Sequence, residues 1–530
     1  MLPRSVDAVV IGSGPNGLVS AIGLADAGWD VLVLEAAELF GGAVRSEDSD
    51  GWISDRFSSS YPLGVASPVL RALELEKYGL RWAHAPAPLA HLMHPDDETA
   101  ATIHPDPTDT AESLAVDHPA DGDAWLRLYE FYVKIREPFL NSLLTSWPPV
   151  GPGLRLARKL GSVGELARFA RFMAMPMHRM GQELFEGPRG RALLAGNAFH
   201  ADASLSGSVS GTMGWLLAML AQDVGFPVAA GGSSSLSTAL VRRAELAGVL
   251  LASGTPVTGI DVSAGKVTGV RTASGETISV RRAVIADVSA PTLYGELLPA
   301  ASVPSGLRRD LERFEWDYPT VKVNYRLRGP IPWRAAEAHS AGVIHLGGTA
   351  DDLVHLSADL DTGRLPSAPF LLIGQTSKAD PTRSPAGSEA VWAYSHLPRG
   401  IADDASADKL AARMDRAIDR HAPGFLDLVV DRDLQRPSDF TAGNASLGMG
   451  ALGGGTSQLH QQLIFRPTIG LGSPRTVVSG LYLGSSAIHP GPGVHGACGH
   501  LAARTALRDA SLVGPLTRIP TTTALRHLQR

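Results

Sequence analysis

Three glycines, Gly12-x-Gly14-x-x-Gly17, follow directly on the apolar run VDAVVI at 6–11. This order reads as buried strand, tight turn and helix, with Pro15 and Asn16 among the residues expected to contact the bound ligand and Gly28 ending the helix. Gly12 permits the turn, Gly14 lets a pyrophosphate approach the backbone, and Gly17 lets helix and strand pack closely. Free amides and the positive end of the helix dipole then face the phosphates. A second apolar run, DVLVLE at 30–35, ends in Glu35, placed to accept hydrogen bonds from a ribose and to repel a 2′-phosphate. The next stretch, AAELFGGAVRSE, adds the doublet Gly41-Gly42 and Arg45, a second bare backbone surface and a cation near the same phosphates. A nicotinamide dehydrogenase has no need of it.

With that doublet the chain resembles the flavoprotein superfamily of amine oxidases and carotenoid desaturases, in which the second glycine pair contacts FAD. The stretch GWISDRFSSSYPL at 51–63 stands where those families place another flavin-side segment, with Asp55-Arg56 in place of the acid-then-small pair common in desaturases. Residues 480–507 read as a second strand, glycine-crowded loop and helix. Gly484-Ser485-Ser486 offers small side chains and amides to phosphate or ribityl oxygens, and Gly491, Gly493 and Val494 are expected to open the helix. This segment, with 369–398 and 461–484, resembles the phytoene-desaturase-like proteins. It is nearest the group labelled pyridine nucleotide-disulfide oxidoreductase domain-containing protein 2, a label implying a dithiol that one cysteine cannot form.

The resemblance implies an α/β fold: a Rossmann-type FAD-binding domain from 1–85, 228–300 and 475–513. An interleaved α+β substrate domain, a mixed antiparallel sheet plus helices, would come from 86–227 and 301–474, with 514–530 as a terminal extension. It also implies that the backbone of Val257 meets the adenine, in a block at 255–287 that reads as short antiparallel strands returning to the buried AVIAD. The implied activity is FAD-dependent dehydrogenation or desaturation of an apolar organic substrate by hydride transfer to flavin. Amine or alcohol oxidation, flavin-dependent isomerisation and a flavin-binding interaction protein without turnover stand as alternatives. No second Gly-x-Gly-x-x-Gly appears in a strand–helix setting, so the electron acceptor is expected to be oxygen, a quinone or another protein.

Composition narrows the partners. The 530 residues carry a net charge of −6, 44% hydrophobic and 19% charged residues, which suits a globular chain and argues against a nucleic-acid footprint. The single Cys498 excludes an internal disulfide and reads as a buried core thiol. No secretion leader and no apolar run of the ~18 residues a membrane span needs is visible, so a cytoplasmic or membrane-surface location is expected. The histidines have no metal-ligand spacing, and no metal is expected.

The loop histidines His489 and His495 are the titratable candidates beside the flavin, either as proton-transfer groups or as anchors in a crowded turn. In the strand-like run at 389–398, Trp392, Tyr394 and His396 share one face and either line a substrate cavity or simply pack. Residues 153–184 alternate Leu, Phe and Met with Arg and Lys at helical spacing. Such a basic amphipathic helix could lie on an anionic membrane, cover a core or meet another subunit, including a second copy of the chain. The Pro- and Asp-rich stretch 94–122 reads as loops between short strands.

Overall fold

The computed structural model describes residues 2–511, 514, 524, 525 and 527–529, so the expected extension at 514–530 lies largely outside the described residues. Two seven-stranded sheets organise the chain. In the first, Ser5–Ile11 is flanked in parallel by Val31–Leu34 and Thr277–Ala286, and Leu250–Ala252 extends the Val31–Leu34 side. The ten-residue strand Thr277–Ala286 is the pivot. Its first half takes the antiparallel meander Val257–Ser263 and Lys266–Thr272, and its second half pairs in parallel with Leu481–Leu483. Near-continuous Val, Ile and Leu in the central strands reflects burial on both faces: helices Pro15–Asp26, Ser234–Leu246 and Ala497–Ala510 cover one, and the meander with Leu293, Tyr294 and Leu307 covers the other.

Helix Pro15–Asp26 runs from the glycine turn with proline in its first turn, where a missing N–H costs nothing, and Gly28 at φ +81° stops it. Helix Ala497–Ala510 crosses it so closely that a Cβ on Gly499 would stand 1.8 Å from the Asn16 carbonyl oxygen. Gly499 also donates its N–H to Asn16 Oδ1 at 3.4 Å.

The second sheet runs Val429–Gln435, Thr320–Leu327, Glu389–His396, Leu371–Gln375, Ala341–Leu346, Ala87–Leu92 and Ala101–Ile103. All its pairings are antiparallel except that of Ala341–Leu346 with Ala87–Leu92. One face, with Val321, Val323, Ile344, Ile373 and Ala393, packs on helix Asp404–His421. The other carries Trp392, Leu372 and Val343 under a helical layer built around Trp125 and Trp215.

Three sequence expectations need correction. The basic amphipathic stretch is three helices, Val150–Leu160, Val163–Ala174 and Met177–Leu184, broken at Gly161, whose φ is +93°, and at Pro176. The stretch 94–122 holds helix Pro107–Ala115 and the start of Pro119–Leu143 as well as a strand. Pro107 and Pro119 initiate helices, and Asp106 caps the first by accepting from the Thr108 N–H at 2.8 Å. The late helix opens at Ala497 with Gly496 at φ +69°, after Gly493 and Val494, which stay in the loop.

Candidate cofactor and substrate site

The glycine turn is spatially forced. Gly12 has φ +96°, and a Cβ on Gly17 would stand 2.2 Å from the Gly12 carbonyl oxygen. A Cβ on Gly14 would stand 2.7 Å from Oδ2 of Asp287, the residue after the pivot strand. The same Oδ2 accepts from the Gly17 N–H at 2.8 Å, so a buried carboxyl already occupies one amide of the helix N-terminus. Burial pushes Asp287 up to about 7, with the Gly17 N–H opposing. The Gly14 and Asn16 amides have no acceptor among the described residues and are left for a phosphate.

Glu35 is held by the loop it serves: Oε2 accepts from Ser13 N–H at 2.8 Å and from its hydroxyl at 2.6 Å, while Oε1 accepts from Ala37 N–H. Thr255 N–H donates to the Glu35 carbonyl, which brings the start of the Val257–Ser263 strand to this end of the sheet. Gly41 donates to the Ser13 carbonyl at 3.1 Å, and a Cβ on Gly42 would come within 2.9 Å of Gly14 Cα. The two glycine segments therefore touch, as one pyrophosphate site requires. Arg45 donates through Nη2 to the Gly443 carbonyl and leaves its Nε buried without a partner. This bare double-glycine cradle, with an orphaned guanidinium nitrogen beside it, fits FAD.

Gly484 is needed for packing, since its Cβ would stand 2.8 Å from Ile285 Cγ2, and the Ser485 hydroxyl donates to the Val288 carbonyl. His495 accepts from the Ala497 N–H at 3.0 Å through Nδ1, which anchors the helix start. His489 stands edge-on to Trp147. Burial lowers both histidines to about 4 and keeps them neutral, with each Nε2 unpartnered. Gly493 is exposed and Val494 half-buried on the open side of the loop. Burial pushes the Cys498 thiol up to about 12, which makes it inert.

The second sheet joins this site through Asp55. Its carboxylate pairs with Arg383, both side chains fully buried, and accepts from Ser59 Oγ at 2.6 Å and Ser233 N–H at 2.8 Å. Ser59 in turn accepts from Trp392 Nε1 at 3.0 Å. Lys322 donates to the carbonyls of Asp55 and Phe57, and burial lowers its ammonium to about 8. Arg56 faces outward to Glu47 and Asp433.

Strand register sets Lys322, Tyr394, Leu372, His345 and His91 in one row across five strands. Trp392 and Tyr394 stack at 5.9 Å, and His396 lies edge-on to Tyr394 at 5.4 Å, on the shared face expected from the sequence. Tyr394, His396 and His200 are only half-buried, yet desolvation raises the tyrosine and lowers the imidazoles to about 4 and about 3. These three rings are thus deep in the protein yet retain partial access.

Sequence reasoning passed over Asp287, Lys322 and the histidines 91, 200 and 345. Asp287 had a signal, an acid closing a buried strand that returns beside the first one. The others had none, because only sheet register brings them together.

The flavin containing amine oxidoreductase family matches residues 16–391. The rat pyridine nucleotide-disulfide oxidoreductase domain-containing protein 2 is 28% identical, over 96% of this chain and 94% of its own. Phytoene dehydrogenase of Streptomyces griseus is 26% identical, over 83% and 84%. Among solved structures, wild-type putrescine oxidase bound to putrescine superposes with TM-score 0.60 at 16% identity, covering 95% of this chain and 98% of that one.

Proposed function

The chain belongs to the flavin containing amine oxidoreductase family and is an FAD-dependent oxidoreductase, and from that premise we propose that it dehydrogenates or desaturates an apolar organic substrate. The observation that carries the substrate class is the strand face of buried Trp392 and half-buried Tyr394 and His396, under an apolar layer that includes Phe199, Trp215 and Phe370. Bound FAD supplies a two-electron acceptor able to take a hydride.

The chain's own residues bind, orient and exclude water. Gly12, Gly14, Gly41, Gly42 and Arg45 would hold the pyrophosphate, Glu35 the adenosine ribose, and Val257 the adenine edge. The exposed Gly493 and half-buried Val494 would face the ring end. Asp55, Arg383 and Ser59 fix Trp392 relative to the flavin-side segment. Oxygen, a quinone or another protein would take the electrons onward.

A second reading, oxidation of an alcohol or amine, is favoured by Lys322. A neutral amine there can still donate to the Asp55 and Phe57 carbonyls with its two N–H bonds and keeps a lone pair to receive a substrate proton.

Among the described residues no helix is long and apolar enough to cross a membrane. Contact with an anionic membrane surface is proposed for Val150–Leu160 and Val163–Ala174. These helices expose Val150, Leu154, Val163 and Leu166 beside Arg155, Arg158, Lys159, Arg168 and Arg171.

The test is the absorbance spectrum of the purified protein followed by anaerobic titration with apolar alkenes, alcohols and amines. Bleaching by alkenes or saturated hydrocarbons supports the first reading. Bleaching confined to alcohols or amines replaces it with the second.

A further inference from the structure

At the far end of the proposed substrate cleft, three strand spacings or about 14 Å across the sheet from Lys322, the row reaches a histidine cluster to which no role has yet been given. His91 and His345 are neighbours by strand register and fully buried, and His200 caps helix Pro188–Phe199 above them. His345 Nε2 and His200 Nε2 are 2.8 Å apart, and His91 Nε2 is 2.8 Å from the Gly348 carbonyl. The Nδ1 atoms of His91 and His345 are buried without a hydrogen-bond partner. Among the described residues no three His, Cys, Asp or Glu groups converge as metal ligands would.

The proton positions follow from these contacts. A carbonyl only accepts, so His91 carries its proton on Nε2 and its Nδ1 is a bare lone pair. A Cβ on Gly196 would stand 2.5 Å from His345 Nδ1 and 2.7 Å from His91 Nδ1, so a Cα–H bond of Gly196 points at both nitrogens. That weak donor suits two bare lone pairs, and a buried bare acceptor costs less than a buried unpaired N–H. His345 therefore donates from Nε2, His200 accepts at Nε2, and the His200 proton sits on Nδ1. Among the described residues nothing accepts from that N–H, and the half-buried ring is the cluster's one open member.

We propose that His200 Nδ1–H is a built hydrogen-bond donor at the polar end of the cleft and receives an uncharged oxygen, a ketone, aldehyde or alcohol, on an otherwise apolar substrate. His345 acts as a positioning residue that fixes the His200 tautomer. The inference rests on the apolar-substrate reading of the cleft and refines it. A pure hydrocarbon would leave the donor unsatisfied, and an ammonium group would meet a donor where it needs an acceptor. Desolvation supports the assignment by keeping all three rings neutral.

The test uses the FAD-loaded full chain and two probes of equal shape, cyclohexanone and methylenecyclohexane, titrated by ligand-observed saturation-transfer NMR. The wild type is expected to prefer the ketone about five-fold, the worth of one net hydrogen bond. His200→Phe should abolish the preference without changing alkene binding. His200→Asn, which keeps an N–H near the Nδ1 position, should retain it. Flavin content reports that each variant is folded. Equal affinity for the two probes in the wild type, or a parallel loss of both in His200→Phe, overturns the proposal and leaves the cleft intact. Binding of neither probe overturns the cleft reading, and the proposal with it.

Discussion

The two seven-stranded sheets place chemistry in opposite ways. The cofactor sheet presents backbone: its glycines, the Glu35 carboxylate and the end of the pivot strand converge at strand termini, where each group lies within a few residues of a turn. The substrate sheet presents side chains from the middle of its strands, where Lys322, Tyr394, His345 and His91 meet only through lateral register. The first kind of site tolerates almost no added atom. The second tolerates changes of side chain on the same frame.

The sharpest break of that contrast is Gly17→Val. The added carbon has nowhere to go beside the Gly12 carbonyl oxygen, and the protein is expected to purify without flavin, read from its visible spectrum. Replacement of Arg383 by Leu tests the join between the sheets. It leaves Asp55 as a buried unpaired carboxylate and should lower unfolding free energy by about 3–5 kcal/mol in a denaturant titration.

Desolvated neutral histidines make both halves acid-sensitive, His489 and His495 on the cofactor side and the larger group His91, His200, His345 and His396 on the second sheet. His91 titrates at about 4 when folded, against about 6.5 when unfolded. Above pH 6.5 both states are neutral and there is no penalty. As pH falls from 6.5 to 4 the unfolded chain takes up a proton that the folded chain refuses, and stability drops by about 3 kcal/mol for this group. Denaturation midpoints between pH 7.5 and 4 should fall less steeply in His91→Phe.

Lys322→Met separates the two readings of function at smaller cost. Under oxidation of an alcohol or amine, the wild-type bleaching rate rises through pH 8 as the ammonium loses its proton. The variant is then slower by ten- to a hundred-fold and flat with pH in stopped-flow traces. Under desaturation without a base, neither pH profile has that step. The smallest effect is expected at the surface, where Arg168→Glu with Arg171→Glu should weaken sedimentation with phosphatidylglycerol vesicles by about ten-fold while leaving flavin content unchanged.

Legibility in the sequence follows the same divide. The loop from Gly12 to Gly17, Glu35 and the Gly41-Gly42 doublet could be read directly, because glycine and acid requirements are local and spaced along one stretch of chain. Trp392, Tyr394 and His396 could be placed on one face by strand alternation, since period two survives without knowledge of neighbours. Lys322 and the histidine cluster were hidden, because no spacing between residues 91, 200, 322 and 345 encodes which strands lie side by side. Helix boundaries failed where one residue type has two uses. Pro107 and Pro119 start helices where a proline-rich stretch reads as loop, and Gly161 divides a stretch whose apolar period alone reads as continuous.

Within the cofactor sheet, Val284 pairs with Val9 on one side and Leu481 on the other. During synthesis the first glycine loop emerges hundreds of residues before the strand that completes its sheet. At about 5–20 residues per second that interval lasts tens of seconds. Through it the nascent chain holds half a nucleotide site with its apolar edge unpaired, a form open to chaperones and to aggregation. Free FAD supplied during translation, rather than after purification, is therefore the condition under which the yield of yellow protein should be highest.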